Sequence, residues 1–293
     1  MNIQWYPGHM TKTRRQIEAD LGQVDMVTEI IDARIPISSR NPDIDALVGS
    51  KPRLVVLNRA DQADKTGNER WTGYFRSKGY AVLETDAKTG KGVQRFAQVS
   101  RELLKDQLER WKAKGQVGRP IRAMVVGVPN VGKSTFINQV AKRKSAKAGD
   151  RPGVTRGKQW VTVDQGLSLL DTPGILWPKF EDERVGLHLA YTGAVKDEIM
   201  DVETLACRLM NDLALRYPSS LEERYKLKVS PCLEGTDEVS YGYALLEEAA
   251  GKRGFRISGG GLDTERMARI LLDEFRSGKL GNFTLELPGE DIP

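Results

Sequence analysis

A glycine-rich stretch near the middle of the chain carries the residues with the clearest chemical meaning, Gly127-Val-Pro-Asn-Val-Gly132-Lys133-Ser134. It follows an apolar run and precedes a helical pattern, the context in which such a loop wraps phosphate groups with backbone N–H groups. The Lys133 ammonium would neutralise the β- and γ-phosphates, and the Ser134 hydroxyl would ligate Mg²⁺. The residues predicted to contact a nucleotide here are Asn130, Val131, Gly132, Lys133, Ser134 and Thr135.

A second motif, Asp171-Thr-Pro-Gly174, closes a later apolar run. Asp171 is expected near the Mg²⁺, through a water molecule, and the Gly174 N–H is placed to sense the γ-phosphate. Between the two motifs, Thr155 follows a turn-forming segment and can close onto Mg²⁺ when the triphosphate is bound. These residues predict a switch that distinguishes a nucleoside triphosphate from a diphosphate.

The tetrapeptide Asn58-Arg59-Ala60-Asp61 indicates which base the nucleotide carries. The Asp61 carboxylate can accept hydrogen bonds from both N1–H and N2–H of guanine. Adenine offers neither donor, and sites of this kind reach a discrimination of about 10⁴ to 10⁵. Arg59 stands where the usual motif has lysine, and its planar head can still cover the base.

The segment Thr85-Asp86-Ala87-Lys88 is predicted to contact the other edge of the guanine. It follows the next apolar run, at the place where a backbone N–H normally reaches the guanine O6. The common form of this segment is Ser-Ala-Lys, so Asp86 is a departure from it. The backbone at Asp86 and Ala87 can still serve as the donor.

Short apolar runs bounded by polar residues predict buried parallel strands that alternate with helices. These runs lie at 53–57 and 80–83. Further strands are expected at 24–31, 121–126, 157–163 and 166–171, the last two on either side of a turn at 165–166, and helices are expected at 11–22, 64–78 and 93–112. Such alternation is typical of an α/β domain. Helical spacing of apolar residues within 202–213 and 267–271 predicts a smaller all-helical domain. We therefore expect an α/β domain over 1–180 and a helical C-terminal domain over 181–293.

The order of the motifs is rotated, because the base-recognition element precedes the phosphate loop, whereas it follows the loop in an ordinary GTPase. This order, together with the N-terminal Trp5-Tyr-Pro-Gly-His-Met10, resembles the circularly permuted GTPases and, more narrowly, the YlqF/YawG family of ribosome biogenesis GTPases. The resemblance covers nearly the whole chain. It implies a circularly permuted P-loop GTPase domain that binds GTP or GDP with Mg²⁺. It also implies binding to the precursor of the large ribosomal subunit, promotion of a late assembly step, and hydrolysis of GTP on that particle.

Two routes to hydrolysis stay open. Ras-type proteins place a water-orienting glutamine directly after the switch glycine, but this chain has Ile175, so we predict slow intrinsic hydrolysis. Asn130 is placed like the asparagine with which some GTPases hold K⁺ against the phosphates, where the cation would act as an arginine finger does. The resemblance assigns the histidine that matches His9 a catalytic role as a water-positioning group. Lys133 and Thr155 complete the predicted catalytic set.

Charge is divided unevenly between the two predicted domains. Residues 1–180 contain 31 Lys+Arg and 18 Asp+Glu, whereas residues 181–293 contain 14 and 22. The basic excess is either a solvated face or a surface for a polyanion such as RNA. Within the acidic C-terminal domain, rRNA contact would need clustered cations, and the alternative is again an ordinary solvated face. The candidates are Lys252, Arg253, Arg256, Arg266 and Arg269.

Composition and motifs narrow the remaining function classes. The sequence has no run of 18 apolar residues and no signal-peptide pattern, and its two cysteines, Cys207 and Cys232, are expected to be reduced thiols in a cytosol. We expect a cytoplasmic monomer, with neither a membrane nor DNA as a partner. The alternatives are a GTP-dependent switch in another RNA-related process, such as tRNA modification, and a P-loop ATPase or kinase. The base-recognition element argues against the last.

Overall fold

The structure is a computed structural model that describes residues 10–142, 159–164, 166–172, 174, 182–195, 201–230 and 237–290. These residues form two compact units. The sheet unit contains residues 10–174 together with 286–290, and the helical unit contains residues 182–285. The predicted helical domain covers all of 181–293, but the segment that begins at Glu286 groups with the sheet unit. The Trp71 indole Nε1–H donates to the Glu286 carbonyl at 2.7 Å, which fixes the segment there.

Six strands form the core of the sheet unit: β1 (Met26–Asp32), β2 (Arg53–Asn58), β3 (Ala81–Thr85), β4 (Ile121–Val126), β5 (Gln159–Asp164) and β6 (Leu167–Asp171). They form one sheet in the order β3-β2-β1-β4-β6-β5. Neighbouring strands are parallel, except that β5 pairs antiparallel with β6 at one edge. Strands β1 and β2 are buried along their whole length, as expected of central strands in an α/β sheet. The predicted α/β fold is confirmed.

The chain order of the strands defines where a ligand crevice opens. From β1 the chain moves through β2 to β3 on one side of the sheet, and β4 then starts beside β1 and is followed outward by β6. The strand order therefore reverses between β1 and β4. Open α/β sheets bind ligands outside the carboxyl ends of their strands at such a reversal.

Helices pack against the sheet, and side chains of the helices and strands form two buried hydrophobic clusters. The helices are α1 (Met10–Leu21), α2 (Ile44–Val48), α3 (Lys65–Ser77), a 3₁₀ turn (Val93–Arg95), α4 (Phe96–Leu103), α5 (Lys105–Ala113) and α6 (Lys133–Lys142). Ile17 and Leu21 of α1 pack with Met124 of β4. Trp71 and Phe75 of α3 pack with residues of β1 and β2. The helix predicted over 93–112 is broken at Leu104, whose ψ of 15° leaves the helical region, and the short α2 was not predicted.

The helical unit contains α7 (Glu183–Tyr191), α8 (Val202–Arg216), α9 (Pro218–Tyr225), α10 (Glu238–Lys252) and α11 (Thr264–Ser277). Four of these helices begin at an aspartate whose carboxylate accepts a backbone N–H of the first turn, namely Asp182, Asp201, Asp237 and Asp263. Each of the four also has a glutamate in its first turn, where the helix dipole favours negative charge. Part of the acidic excess of this unit is therefore structural. Among the described residues, none of the helices is both long and apolar enough to cross a bilayer.

Glu274 of α11 joins three parts of the helical unit. It accepts hydrogen bonds from Arg224 Nε at 2.9 Å and from the Tyr225 hydroxyl at 2.8 Å, and Arg253 Nη2 lies 3.2 Å from its carboxylate. Burial raises the pKa of Glu274, but the hydrogen bonds from Arg224 and Tyr225 and the charge of Arg253 outweigh burial and hold the pKa at about 2. The carboxylate is thus charged and stabilises the packing of α11 against α9 and the end of α10.

Replacing Glu274 with glutamine should destabilise the helical unit by about 2–3 kcal/mol at neutral pH. The folded pKa lies below the ordinary value of 4.5, so this stabilisation is complete above about pH 4.5 and disappears as the pH falls towards about 2. Urea titrations at several pH values, read by pulsed hydrogen exchange in peptides of α8, measure the effect.

A matched control for Glu274→Gln is Glu265→Gln on the same helix. Glu265 pairs with Arg269 at 2.7 Å, but both side chains are more than half exposed, so the change should cost less than about 0.5 kcal/mol. Equal losses in the two variants, or a difference between them that does not shrink in acid, would contradict the role given to Glu274.

Candidate nucleotide-binding site

The carboxyl ends of the parallel strands bring the predicted base-recognition and phosphate-binding segments to one edge of the sheet. In the strand register, Asp32 at the end of β1 lies opposite Asn58 of β2, and Asn58 lies opposite Thr85 of β3. Strand β4 pairs with the other side of β1, ends at Val126, and leads directly into the glycine-rich loop. The rotated motif order is therefore compatible with a single site, because both halves of the chain end their strands at the same edge.

Asn58 connects the base-recognition segment with the phosphate loop. Its Nδ2 donates to the Val131 carbonyl at 2.8 Å, across 73 residues of sequence. Its Oδ1 accepts from the Ala87 N–H at 3.1 Å and from the Thr85 hydroxyl at 3.2 Å. The side chain is buried, so these three bonds fix its orientation. We did not single out the Thr85 hydroxyl from the sequence, where its position at a strand end was the only signal.

The close approach of these two segments requires a glycine in the loop. Gly132 has φ of +103°, and a Cβ placed on it would lie 2.4 Å from Asn58 Nδ2. A side chain at position 132 would therefore separate the phosphate loop from Asn58. This contact explains why the second glycine of the loop stands where it does.

Arg59 makes a second contact between the two segments. Its backbone has φ of +59°, and its Nη2 donates to the Asn130 carbonyl at 2.8 Å. Its Nη1 lies 3.7 Å from Asp32 Oδ2. The arginine in place of the usual lysine thus spans from the end of β1 to the phosphate loop, a reach that suits a planar, multidentate donor.

Asp32 is itself held by a buried arginine, Arg34, which no sequence motif indicated. Arg34 Nε donates to Asp32 Oδ1 at 3.0 Å, and Arg34 Nη2 donates to Oδ2 at 2.8 Å. Burial raises the pKa of Asp32, but Arg34 and then Arg59 lower it below its ordinary value, so the carboxylate stays charged. An aspartate and an arginine two residues apart, directly after a buried strand, were the available signal.

Lys133 lies at the start of α6 with its ammonium turned into the loop. Its Nζ donates to the Gly127 carbonyl at 3.0 Å and to the Val128 carbonyl at 2.8 Å. Burial lowers the pKa of Lys133 from 10.5 to about 8, and the charge of Asp171 opposes that shift. A buried ammonium surrounded by loop carbonyls is poised to gain from an incoming phosphate charge.

The segment after β6 approaches the phosphate loop closely. A Cβ on Gly174 would lie 2.8 Å from Lys133 Nζ and 2.8 Å from the Pro129 nitrogen, so only glycine fits there. The Thr172 hydroxyl donates to the Val125 carbonyl at 2.6 Å, and Asp171 lies opposite Val125 in the register. The structure thus brings Asp171, Gly174 and Lys133 together, while their roles towards a nucleotide stay predictions.

Asp61 lies at the open rim of this edge and is exposed. Partial burial and the nearby Asp86 both raise its pKa above the ordinary value. The Asp86 carboxylate accepts from the backbone N–H of Lys88 at 2.8 Å and of Thr89 at 3.2 Å, so it shapes its own turn much as a serine would. The Asp86 N–H donates to the Lys91 carbonyl at 2.9 Å. The contact of this backbone with a guanine O6 stays a prediction.

Some of the other residues predicted for the nucleotide site lie within the described part of the chain, and two do not. Ser134 and Thr135 lie exposed in the first turn of α6, and Asn130 is exposed in the loop with φ of +57°. The Ala60 N–H donates to the Thr85 carbonyl at 3.1 Å, which anchors the base-recognition segment. His9 and Thr155 lie outside the described residues.

The cations proposed for rRNA contact in the helical unit make contacts within that unit. Arg253 pairs with Glu274 and stacks over the Tyr225 ring, and Arg266 stacks over Phe255 at 4.3 Å. The other pairs are Lys252 with Glu248, Arg269 with Glu265, and Arg256 with the Gly260 carbonyl. These contacts support the packing of the unit and leave the RNA-binding prediction untested.

Comparisons with known proteins match the region of the phosphate loop and nearly the full length of the chain. The model of a family described as 50S ribosome-binding GTPase matches residues 122–217, which begin at β4 and include the phosphate loop. Ribosome biogenesis GTPase A of Bacillus cereus is 47% identical over 99% of this chain and 95% of its own length. The protein of the same name from Priestia megaterium is 47% identical over 99% of this chain and 98% of its own.

A solved structure shows the same architecture. The crystal structure of GNP-bound YlqF from Thermotoga maritima superposes with a TM-score of 0.64 at 27% identity, covering 96% of this chain and 100% of that one. The base-recognition segment lies before the matched family region, as the rotated order requires. With identity near one half over almost the full length, the chain belongs to the ribosome biogenesis GTPase A family of circularly permuted P-loop GTPases.

Proposed function

We propose that this protein hydrolyses GTP on the precursor of the large ribosomal subunit and promotes a late step of its assembly. The contact of Asn58 with the Val131 carbonyl carries the enzymatic part of the proposal, since it sets a guanine-recognition segment against a phosphate loop. The ribosomal part is supported by the relatives named ribosome biogenesis GTPase A and by the family described as 50S ribosome-binding GTPase.

The described residues fit a guanine nucleotide with Mg²⁺. The α6 N-terminus and Lys133 would bind the phosphates, and Asp61 would accept the two guanine N–H groups. Ser134 and Asp171 would hold Mg²⁺ together with Thr155, which lies outside the described residues, and the ion would supply positive charge to the phosphates. A Cβ built on Gly174 would lie 2.8 Å from Lys133 Nζ, and this closeness supports the idea that the Gly174 N–H faces the terminal phosphate.

Hydrolysis should be slow for the isolated protein and stimulated by the particle. Ile175 cannot orient a water molecule, so the catalytic arrangement depends on a further group. K⁺ held through Asn130 and water positioned by His9 are the two candidates. The ribosomal particle would act by fixing one of them in place, which is the reason for expecting stimulation.

Co-sedimentation tests the ribosomal proposal. The protein should sediment with large-subunit precursors in the presence of a nonhydrolysable GTP analogue, and much less with GDP. Those particles should raise GTP turnover by at least about tenfold, well within the 10³ to 10⁵ that a completed GTPase site can reach. Small subunits and tRNA serve as controls. Equal binding to small subunits or to tRNA, or turnover that the large-subunit precursors do not change, would contradict the proposal.

A further inference from the structure

The segment that follows the helical unit is anchored in the sheet unit by a buried carboxylate. Glu286 is fully buried and accepts from the Ile37 N–H at 2.7 Å, from the Ser38 N–H at 3.2 Å, and from the Ser38 hydroxyl. Its own carbonyl accepts from Trp71. A carboxylate is costly to bury unless several donors compensate it, so this position holds the 33–40 loop firmly.

The loop that Glu286 holds begins at the guanine side of the site. The Asp32 N–H donates to the Ser39 hydroxyl at 2.9 Å, and the Ser39 hydroxyl donates to the Ile35 carbonyl at 2.7 Å. The Asp32 carboxylate in turn lies 3.7 Å from Arg59 Nη1. Glu286 is therefore connected to Asp32 by one short, hydrogen-bonded loop.

The connection continues to the phosphate loop. Arg59 donates to the Asn130 carbonyl, and it adjoins Asn58, which donates to the Val131 carbonyl. A contiguous series of polar contacts, buried from Glu286 to Asp32 and exposed where Arg59 meets Asn130, thus joins Glu286 to both loop carbonyls. The sequence motifs alone do not account for Glu286, which lies more than 100 residues beyond the last of them.

We propose that Glu286 is a positioning residue for guanine-nucleotide binding. Its carboxylate fixes the 33–40 loop, the loop fixes Asp32, and Asp32 holds Arg59 so that the base-recognition segment closes on the phosphate loop. The inference rests on the proposed nucleotide site. Because coupling between two sites is reciprocal, bound nucleotide also stabilises the seating of the segment at 286–290.

The test is the dissociation rate of a fluorescent GDP analogue from the full-length protein. Glu286→Gln keeps the size and removes the charge, and release should accelerate by about 5- to 150-fold. The control Glu290→Gln makes the same change at an exposed position of the same segment, and release should stay within about twofold. An unchanged rate in Glu286→Gln would overturn the proposal. A wild-type protein that did not bind GDP would instead contradict the nucleotide site itself.

A double-mutant cycle with Arg59→Ala separates positioning from general loss of stability. If Glu286 acts through Arg59, adding Glu286→Gln to Arg59→Ala should accelerate release by less than about twofold. If the acceleration in the double variant equals the product of those in the two single variants, Glu286 acts by another route and the proposal is overturned. If Glu286→Gln does not fold, Ser38→Ala removes only one donor to the carboxylate. It should accelerate release at least about twofold, and an unchanged rate would be equally decisive.

Discussion

Replacing Asp61 with asparagine should weaken GDP and GTP binding by at least about 10³-fold, because one of two charge-assisted hydrogen bonds is lost and an amide N–H₂ faces the guanine N2–H₂. The same variant should bind xanthosine diphosphate better than the wild type does, since xanthine carries a carbonyl oxygen where guanine carries the amino group. Competition titrations with guanosine, xanthosine and adenosine diphosphates measure both effects.

A matched control for this substitution lies three residues further on. Asp64 caps α3 by accepting the Gly67 N–H at 2.8 Å, and asparagine caps helices equally well, so Asp64→Asn should leave nucleotide binding unchanged. If Asp61→Asn bound GDP like the wild type, or lost all three diphosphates to the same degree, Asp61 would not be the guanine acceptor. Strong adenosine binding by the wild type would instead favour a P-loop ATPase.

At acidic pH, the affinity for guanine nucleotides should depend on the protonation of Asp61. Burial and Asp86 raise the pKa of Asp61 in the nucleotide-free protein, whereas two N–H donors from guanine would lower it. A group whose pKa is lower in the complex contributes affinity at high pH and loses it as the pH falls through the pKa of the free protein. Guanine affinity should therefore fall in acid, and in Asp61→Asn this part of the dependence should vanish.

The sequence was sufficient for those parts of the site that depend on local pattern. Apolar runs and glycine spacing predicted all six strands and the glycine-rich loop, because a buried parallel strand and a phosphate-binding turn each impose a residue pattern within a few positions. The α/β class and the rotated order followed from these elements. The observed ends of the strands differ from the predicted ends by up to two residues. Strand β1, for example, was predicted to begin at Val24 and begins at Met26.

What the sequence did not predict depends on burial that the local pattern does not show. Arg34 reads as an ordinary surface arginine although its partner Asp32 lies only two residues away, because the sequence does not show that both side chains are buried. Glu286 lies in the stretch Phe283-Thr-Leu-Glu-Leu287, which carries no recognised motif, and its burial depends on Trp71 and on the Ser38 backbone, which are more than 200 residues away. No periodicity encodes such pairs. The helix break at Leu104 was missed for a different reason, since apolar spacing continues through it.

Lys133→Met should weaken GDP binding by about 10²- to 10³-fold, since it removes a buried ammonium from the phosphates while keeping most of the side-chain volume. The variant should also lose a pH dependence that the wild type shows in alkali. Burial lowers the pKa of Lys133 to about 8 in the nucleotide-free protein, and phosphate charge would raise it on binding.

The direction of this pH dependence follows from which protonation state of Lys133 binds the phosphates. The protonated lysine binds the phosphates, so the GDP affinity of the wild type should be highest below about pH 8 and fall by roughly tenfold by about pH 9. The GDP affinity of Lys133→Met should not change between these two pH values. Calorimetry in buffers of different ionisation enthalpy should detect proton uptake by the wild type near pH 8 and none by Lys133→Met. A wild-type affinity that did not change up to about pH 9 would mean that the Gly127 and Val128 carbonyls keep the ammonium charged despite its burial. In that case Lys133 would enter the complex already protonated, and its contribution would be electrostatic at every pH.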